Sequence, residues 1–258
     1  MTETQWLTCT DIHSMVDFVS RVRCRIQPPT AAHPYRDRPL RLFVVGCFRA
    51  HWDVFLDPDA RVAVETAERF ADGLVTRDAL HQVESRARDL KDRIIEECLR
   101  KGRSDFGPNV GTRMGSLSVA AEACAPPRTE AQEQLPTRGA RAKRSLWWWY
   151  SVESAHTINE TIDGTSATLY SDPQQAALLR DIFGNPFRPI EFSPAWRTSA
   201  ATALAAQMYE SRDFSAMPIL ADALQDAGCD SADVLGHCRG PGPHARGCWV
   251  VDLVLGKE

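Results

Sequence analysis

From Thr76 to Gly102 the chain places Leu80, Val83, Ala87, Leu90, Ile94, Cys98 and Leu99 three or four residues apart, between a capping threonine and a terminating glycine. Side chains at that spacing stand above one another on a helix of 3.6 residues per turn, so they line one face. The remaining positions include Glu84, Arg88, Lys91, Asp92 and Glu96, which read as the solvated face. A strand would need strict alternation of apolar and polar residues, and no segment of the first hundred residues shows it. The chain is therefore expected to fold by packing helices.

Other segments follow the same rule. Thr10 or Asp11 can cap a helix carrying Met15, Phe18, Val19 and Val22. Pro28, Pro29, Pro34 and Pro39 break the chain, and a second helix is expected from about Leu40 to Phe55. Asp57-Pro58 is a cap with proline in the first turn, and Gly73 is a suitable left-handed terminus. Beyond the middle of the chain, Asp172-Pro173 opens a helix with Ala176, Leu179, Ile182 and Phe183, closed by Gly184. Ser193-Pro194 restarts helix, with a stripe through Leu204 and Met208 to Ser211. Further helices are expected from Phe214 to Ala227, from Asp230 to His237, and from Gly247 to Leu255, the last with enough valine to tolerate a strand.

Between Gly102 and about Leu146 the pattern fails. Gly107, Pro108, Gly111, Gly115, Pro126, Pro127, Pro136 and Gly139 interrupt a stretch poor in aromatics, which cannot bury enough apolar surface to offset chain entropy. A short helix near Leu117 to Cys124 is the exception. The expected fold is mainly α, a helical bundle-like array with a long loop or disordered insertion near the middle. Residues 1–102 and 172–258 form helical flanks packing as one core, and 103–171 a loose linker or insertion.

With 258 residues and a net charge of −4, the chain can bury a large core and has no surface built wholly for nucleic acid. No apolar run approaches the length of a bilayer span, and the first residues lack a basic-then-apolar leader pattern. Eight cysteines without such a leader suggest reduced thiols, and a cytoplasmic location is expected.

Chemistry concentrates near the C-terminus. Cys229, His237, Cys238, His244 and Cys248 fall within twenty residues, a set of thiols and imidazoles suited to tetrahedral zinc. His244 and Cys248 would share one helical turn if a helix began by Ala245. The plainer account is that the cysteines are small buried apolar groups and the histidines cap helix ends, and the missing Cys-x-x-Cys half-site favours it. A Cys238–His244 dyad is formally available for nucleophilic catalysis. Asp222, Asp226, Asp230 and Asp233 read as polar-face or capping residues. Nucleophile elbow, phosphate loop, dinucleotide fingerprint and His-Glu-x-x-His motifs are missing.

A second candidate is the tract Arg138, Arg141, Lys143 and Arg144, followed by Trp147 and Trp148. Cations attract phosphates and aromatic rings stack on bases or sit among lipid headgroups, so nucleic acid and anionic lipid are the partners this tract would take. The simpler account is a solvated basic loop leading into a buried aromatic anchor.

The runs Leu178 to Pro189, Pro218-Ile219-Leu220-Ala221-Asp222-Ala223-Leu224, and His237 through Lys257 resemble a paralogous family of uncharacterised bacterial proteins, of the kind expanded in planctomycetes. Thr2 through Met15 and Leu40 to Phe43 resemble that family's start. The likeness covers roughly the first hundred residues and the last eighty-five. It implies two ordered flanks and no particular activity. Family members carry a second cysteine beside the position of Cys47, where this chain has Phe48.

Amphipathic helices without catalytic signatures point to a non-catalytic helical interaction or scaffold protein whose partner is another protein. A small zinc-stabilised C-terminal binding module is the alternative, and an enzyme of unrecognised type the second.

Overall fold

Thr2 and Gln5 form a reciprocal cap, each side chain bonding the other's backbone amide, and this opens a first helix that the stripes alone do not reveal. The computed structural model describes residues 1–26, 38–50, 52, 57–101, 116, 117, 120, 121, 123, 124 and 172–257. Among these, no strand occurs, and ten α-helices and one 3₁₀ turn have described bounds, so the fold is mainly α. The helices are α1 (Glu3–Thr8), α2 (Ile12–Ile26), α3 (Arg38–Arg49), α4 (Pro58–Ala71), α5 (Arg77–Arg100), α6 (Asp172–Phe183), α7 (Ser199–Ser211), α8 (Met217–Asp226), α9 (Ala232–Arg239) and α10 (Trp249–Leu255).

Most ends sit where cap chemistry puts them. Asp11, Asp57 and Thr76 each accept amide bonds from the first turn that follows. Gly73 takes φ +71° beyond α4, and the amide of Leu74 reaches back to the Arg69 carbonyl. Some boundaries differ from expectation. α3 stops at Arg49 instead of running to Phe55. Ser193-Pro194 yields only a 3₁₀ turn, and Thr198 caps α7. Ser231 caps α9, one residue after the aspartate expected to do so.

The chain divides into two compact units, with cuts after Met15 and after Ser171. One unit comprises Met1–Met15 with Asp172–Glu258, and the other Val16–Ser171. Only the first fifteen residues of the N-terminal flank thus join the C-terminal flank.

In the Val16–Ser171 unit, α4 packs on both α3 and α5. α3 is buried almost all round, including Arg41, which is 0% exposed, donates to the Ala123 carbonyl and lies over the Phe70 ring. Ser116, Leu117, Ala120, Ala121, Ala123 and Cys124 are helical and buried, and the Cys124 thiol donates to the Ala63 carbonyl at 3.2 Å. This part of the expected insertion therefore contributes to a core. Glu84, read as solvated, is also buried and receives Arg88 at 3.1 Å.

In the other unit, α7, α8, α9 and α10 enclose an apolar core from Ala201 to Val254, with α6 against α10. The N-terminal segment is latched to α6. Trp6 is 0% exposed and donates Nε1–H to the Gly184 carbonyl at 3.1 Å, while Arg180 donates to the Trp6 and Cys9 carbonyls. Asn185 and Arg188 both reach Glu3.

Two predictions follow from this packing. Trp6→Ala removes a fully buried indole and its bond, so it should cost about 3–5 kcal/mol, read as a lowered urea midpoint; a change within error would mean the latch carries no stability. The second concerns the thiols. Burial raises Cys47 and pushes Cys124 from the usual 9.0 up to about 12. A thiol raised by folding contributes its stability fully below its unfolded pKa and loses it as pH climbs through the folded value. The urea midpoint should therefore fall between pH 9 and about 12 by an equivalent on the order of 1–3 kcal/mol, and the Cys47→Ala/Cys124→Ala variant should show a flatter profile. Equal slopes would contradict the burial of these groups.

Candidate metal centre

An acid in the last turn of a helix faces the negative end of the helix dipole, so Asp181 near the end of α6 needs compensation from elsewhere. Its side chain is 2% exposed, and both oxygens are engaged. Oδ1 lies 2.8 Å from His244 Nδ1 and 3.1 Å from His237 Nε2. Oδ2 accepts the backbone N–H of Ala245 at 3.0 Å. His237 Nε2 in turn lies 3.2 Å from the Cys248 sulfur.

Four elements meet here. α6 supplies Asp181, α9 supplies His237 from its last turn, the segment between α9 and α10 supplies His244, and the residue capping α10 is Cys248. One ligand atom from each of Asp181, His237, His244 and Cys248 lies within 4.8 Å of all the others. The described residues thus hold an Asp–His–His–Cys group able to bind a metal ion.

The surrounding sequence fixes this geometry. Gly242 takes φ +83°, and a Cβ there would stand 3.1 Å from the His244 amide nitrogen, so a side chain at 242 would displace the ligand that follows it. Gly184 takes φ +62° and passes so close to Trp249 that a Cβ would meet the indole at 3.2 Å. The Trp249 ring packs on His237, and the two imidazoles meet edge to face at 5.0 Å. Arg246, buried, lies 4.4 Å over the Tyr209 ring and pins the segment between the two histidine-bearing stretches and α10.

Cys248 is fully buried, and desolvation together with the Asp181 charge raises its thiol well above the usual range. The amides of Val250 and Val251 at the start of α10 oppose that shift. A bound cation would reverse the balance, since a coordinating thiol is deprotonated.

Nucleophilic catalysis fits the geometry poorly. A relay needs one imidazole nitrogen on the nucleophile and the other on the acid. His237 presents the same nitrogen to both the sulfur and the carboxylate, which is how ligands converge on a common point. The Cys238–His244 dyad fails separately, because Cys238 lies in the apolar core and burial pushes its thiol up to about 12.

Of the five residues read as ligands, the structure brings His237, His244 and Cys248 together and leaves Cys229 and Cys238 outside the group. Cys238 follows His237 on α9, and a step of one residue turns a side chain about 100° around the axis, into the core. Cys229 follows Gly228 at the end of α8, where its amide bonds the Leu224 carbonyl and the residue folds inward. His244 and Cys248 do not share a helical turn, because α10 begins only at Trp249; a tight turn with the Cys248 amide on the Ala245 carbonyl joins them instead. Asp181 was missed, although an acid ending the Leu178 to Pro189 run conflicts with the helix dipole and was a usable signal. Arg138, Arg141, Lys143, Arg144, Trp147 and Trp148 lie outside the described residues. Asp222, Asp226, Asp230 and Asp233 are exposed, as read.

No known protein family, curated protein or solved structure matches the chain. No described helix is long and apolar enough to cross a membrane.

The glycines give a paired test. Gly242→Ala should lower stability by about 1–3 kcal/mol, because φ +83° and the His244 amide both resist a Cβ. Gly236→Ala, inside α9 with nothing near its Cβ, should instead stabilise by about 0.5–1 kcal/mol. Thermal unfolding of the two variants checks the contrast, and similar shifts would contradict the loop geometry.

Proposed function

We propose that Met1–Met15 and Asp172–Glu258 form a helical binding module stabilised by one zinc ion on Asp181, His237, His244 and Cys248. The convergence of these four side chains supports this reading. Four ligand atoms around a tetrahedral zinc with bonds of about 2.0–2.3 Å stand about 3.3–3.8 Å apart, and the group needs only small shifts to reach that spacing. One thiolate with two imidazoles suits zinc better than the harder divalent ions. A set of four protein ligands is the pattern of structural sites, which hold a fold together.

The resemblance to uncharacterised bacterial proteins adds no activity, and the non-catalytic assignment rests on the absence of a relay at this group. The large exposed apolar side chains are Leu7, Val62, Leu74, Leu99, Phe187 and Ile219, one to an element, so no described patch singles out a protein partner. The described cysteines are all free, which fits a reducing, cytoplasmic setting.

Elemental analysis of protein purified without chelator should give one zinc per chain. Asp181→Asn and Cys248→Ala should each weaken zinc affinity by at least about tenfold, and Cys229→Ala and Cys238→Ala should retain the ion. Chelation should lower the thermal midpoint of the wild-type chain and leave that of Cys248→Ala unmoved. A metal-free wild type that cannot be loaded, or full zinc in Cys248→Ala, would overturn the assignment.

A further inference from the structure

The metal group is not enclosed on every side. A cavity of about 230 Å³ adjoins it, lined by Ala177, Arg180, Asp181, His237, His244 and the Gly240–Pro243 run. Three of the four ligands form part of its wall, and the fourth, Cys248, is sealed behind them at 0% exposure.

Resting on the zinc reading, we propose that the four-coordinate ion can take a fifth donor from the side facing this cavity, and that this donor is the carboxylate of a small aliphatic acid. Zinc in solvent-accessible sites expands from four- to five-coordination, and the cavity brings a further donor within reach of this group. Size limits that donor: the cavity is smaller than the roughly 300–1,000 Å³ of pockets for drug-sized ligands, so it admits only a few heavy atoms.

The walls set the chemistry. Ala177, Pro241 and Pro243 offer apolar surface against which a short hydrocarbon chain can pack. Charge selects the head group. Asp181 and a Cys248 thiolate together balance a divalent ion, so the uncancelled charge among the lining residues is that of Arg180, whose guanidinium is turned toward the Trp6 and Cys9 carbonyls. Arg180 is held rigidly, with Nε and one terminal nitrogen bonded to the carbonyls of Trp6 and Cys9. An anion therefore meets a fixed field and not a flexible side chain.

The same lining argues against hydrolysis. Apart from Asp181 and the histidines already assigned as ligands, the described residues of the cavity wall include no carboxylate or imidazole to act as a base toward a metal-bound water.

Cobalt(II) substituted for zinc in the full chain gives visible bands that report coordination number. Titration with azide, and with straight-chain carboxylates from formate to pentanoate, should weaken the four-coordinate bands. Carboxylate affinity should tighten about three- to fourfold per added methylene until the cavity is filled. Ala177→Leu, which narrows the cavity without touching a ligand, should keep the cobalt spectrum and weaken butyrate binding about tenfold or more.

Failure to take up one cobalt per chain would remove the zinc reading itself. Cobalt held with bands unmoved by every titrant would leave that reading intact and overturn the fifth donor. Band changes with no dependence on chain length, or equal in Ala177→Leu and wild type, would place the ligand elsewhere and overturn the cavity assignment. Should Ala177→Leu fail to hold cobalt, the chain-length series on the wild type decides alone.

Discussion

A buried carboxylate is tolerated only when its charge and its lone pairs are answered nearby, and Asp181 is answered by three groups from two segments. His237 comes from α9, His244 from the segment after it, and the Ala245 amide from the same segment. Removing an ionised carboxylate from water costs several kcal/mol, so the residues around it cannot drift apart without exposing that cost. This explains how a stretch of glycine and proline with no helix of its own, from Gly240 to Gly247, holds one conformation. Its order comes from the carboxylate it surrounds.

The same residue explains why one cysteine of this region differs from its neighbours. Cys47, Cys124, Cys229, Cys238 and Cys248 are all buried, and burial raises each thiol. Only Cys248 lies beside a carboxylate and two imidazoles while capping the start of a helix. With a divalent ion in place, one thiolate and one carboxylate cancel its charge, and the group becomes a neutral unit inside a low-dielectric core.

How much of this could be read from residues alone depends on whether the determining contact is local. The caps at Asp57 and Thr76 and the terminus at Gly73 act within a few residues, and they sit where expected. The Thr2–Gln5 box is equally local, and only attention to stripes hid α1. The grouping of Met1–Met15 with the C-terminal half was not legible, because Trp6 meets Gly184 across most of the chain. At the metal group, His237, His244 and Cys248 were visible as ligand types in a short window. The exclusion of Cys229 and Cys238 required knowing which way each side chain turns from its helix. Asp181 lies 56 residues or more upstream of its partners, and only its conflict with the helix dipole marks it. Glu84 failed for a related reason: a charge on a helix face reads as solvated until something packs over it.

The last turn of α6 joins these two themes, because adjacent residues on it serve opposite directions. Arg180 reaches the carbonyls of Trp6 and Cys9 and holds the N-terminal segment, while Asp181 reaches the histidines and the Ala245 amide. Gly184 completes the arrangement, accepting the Trp6 indole and leaving room for Trp249, which packs on His237. A shift of this turn would loosen the latch and the metal group together, since neither arginine nor aspartate can move without its neighbour. If zinc binds as proposed, the binding energy would stabilise the docking of residues 1–15, and that docking would preorder Asp181 for the ion. Coupling of this kind needs no conformational switch. It follows from placing a half-buried arginine and a buried aspartate, each hydrogen-bonded to a different segment, on consecutive residues of one helical turn.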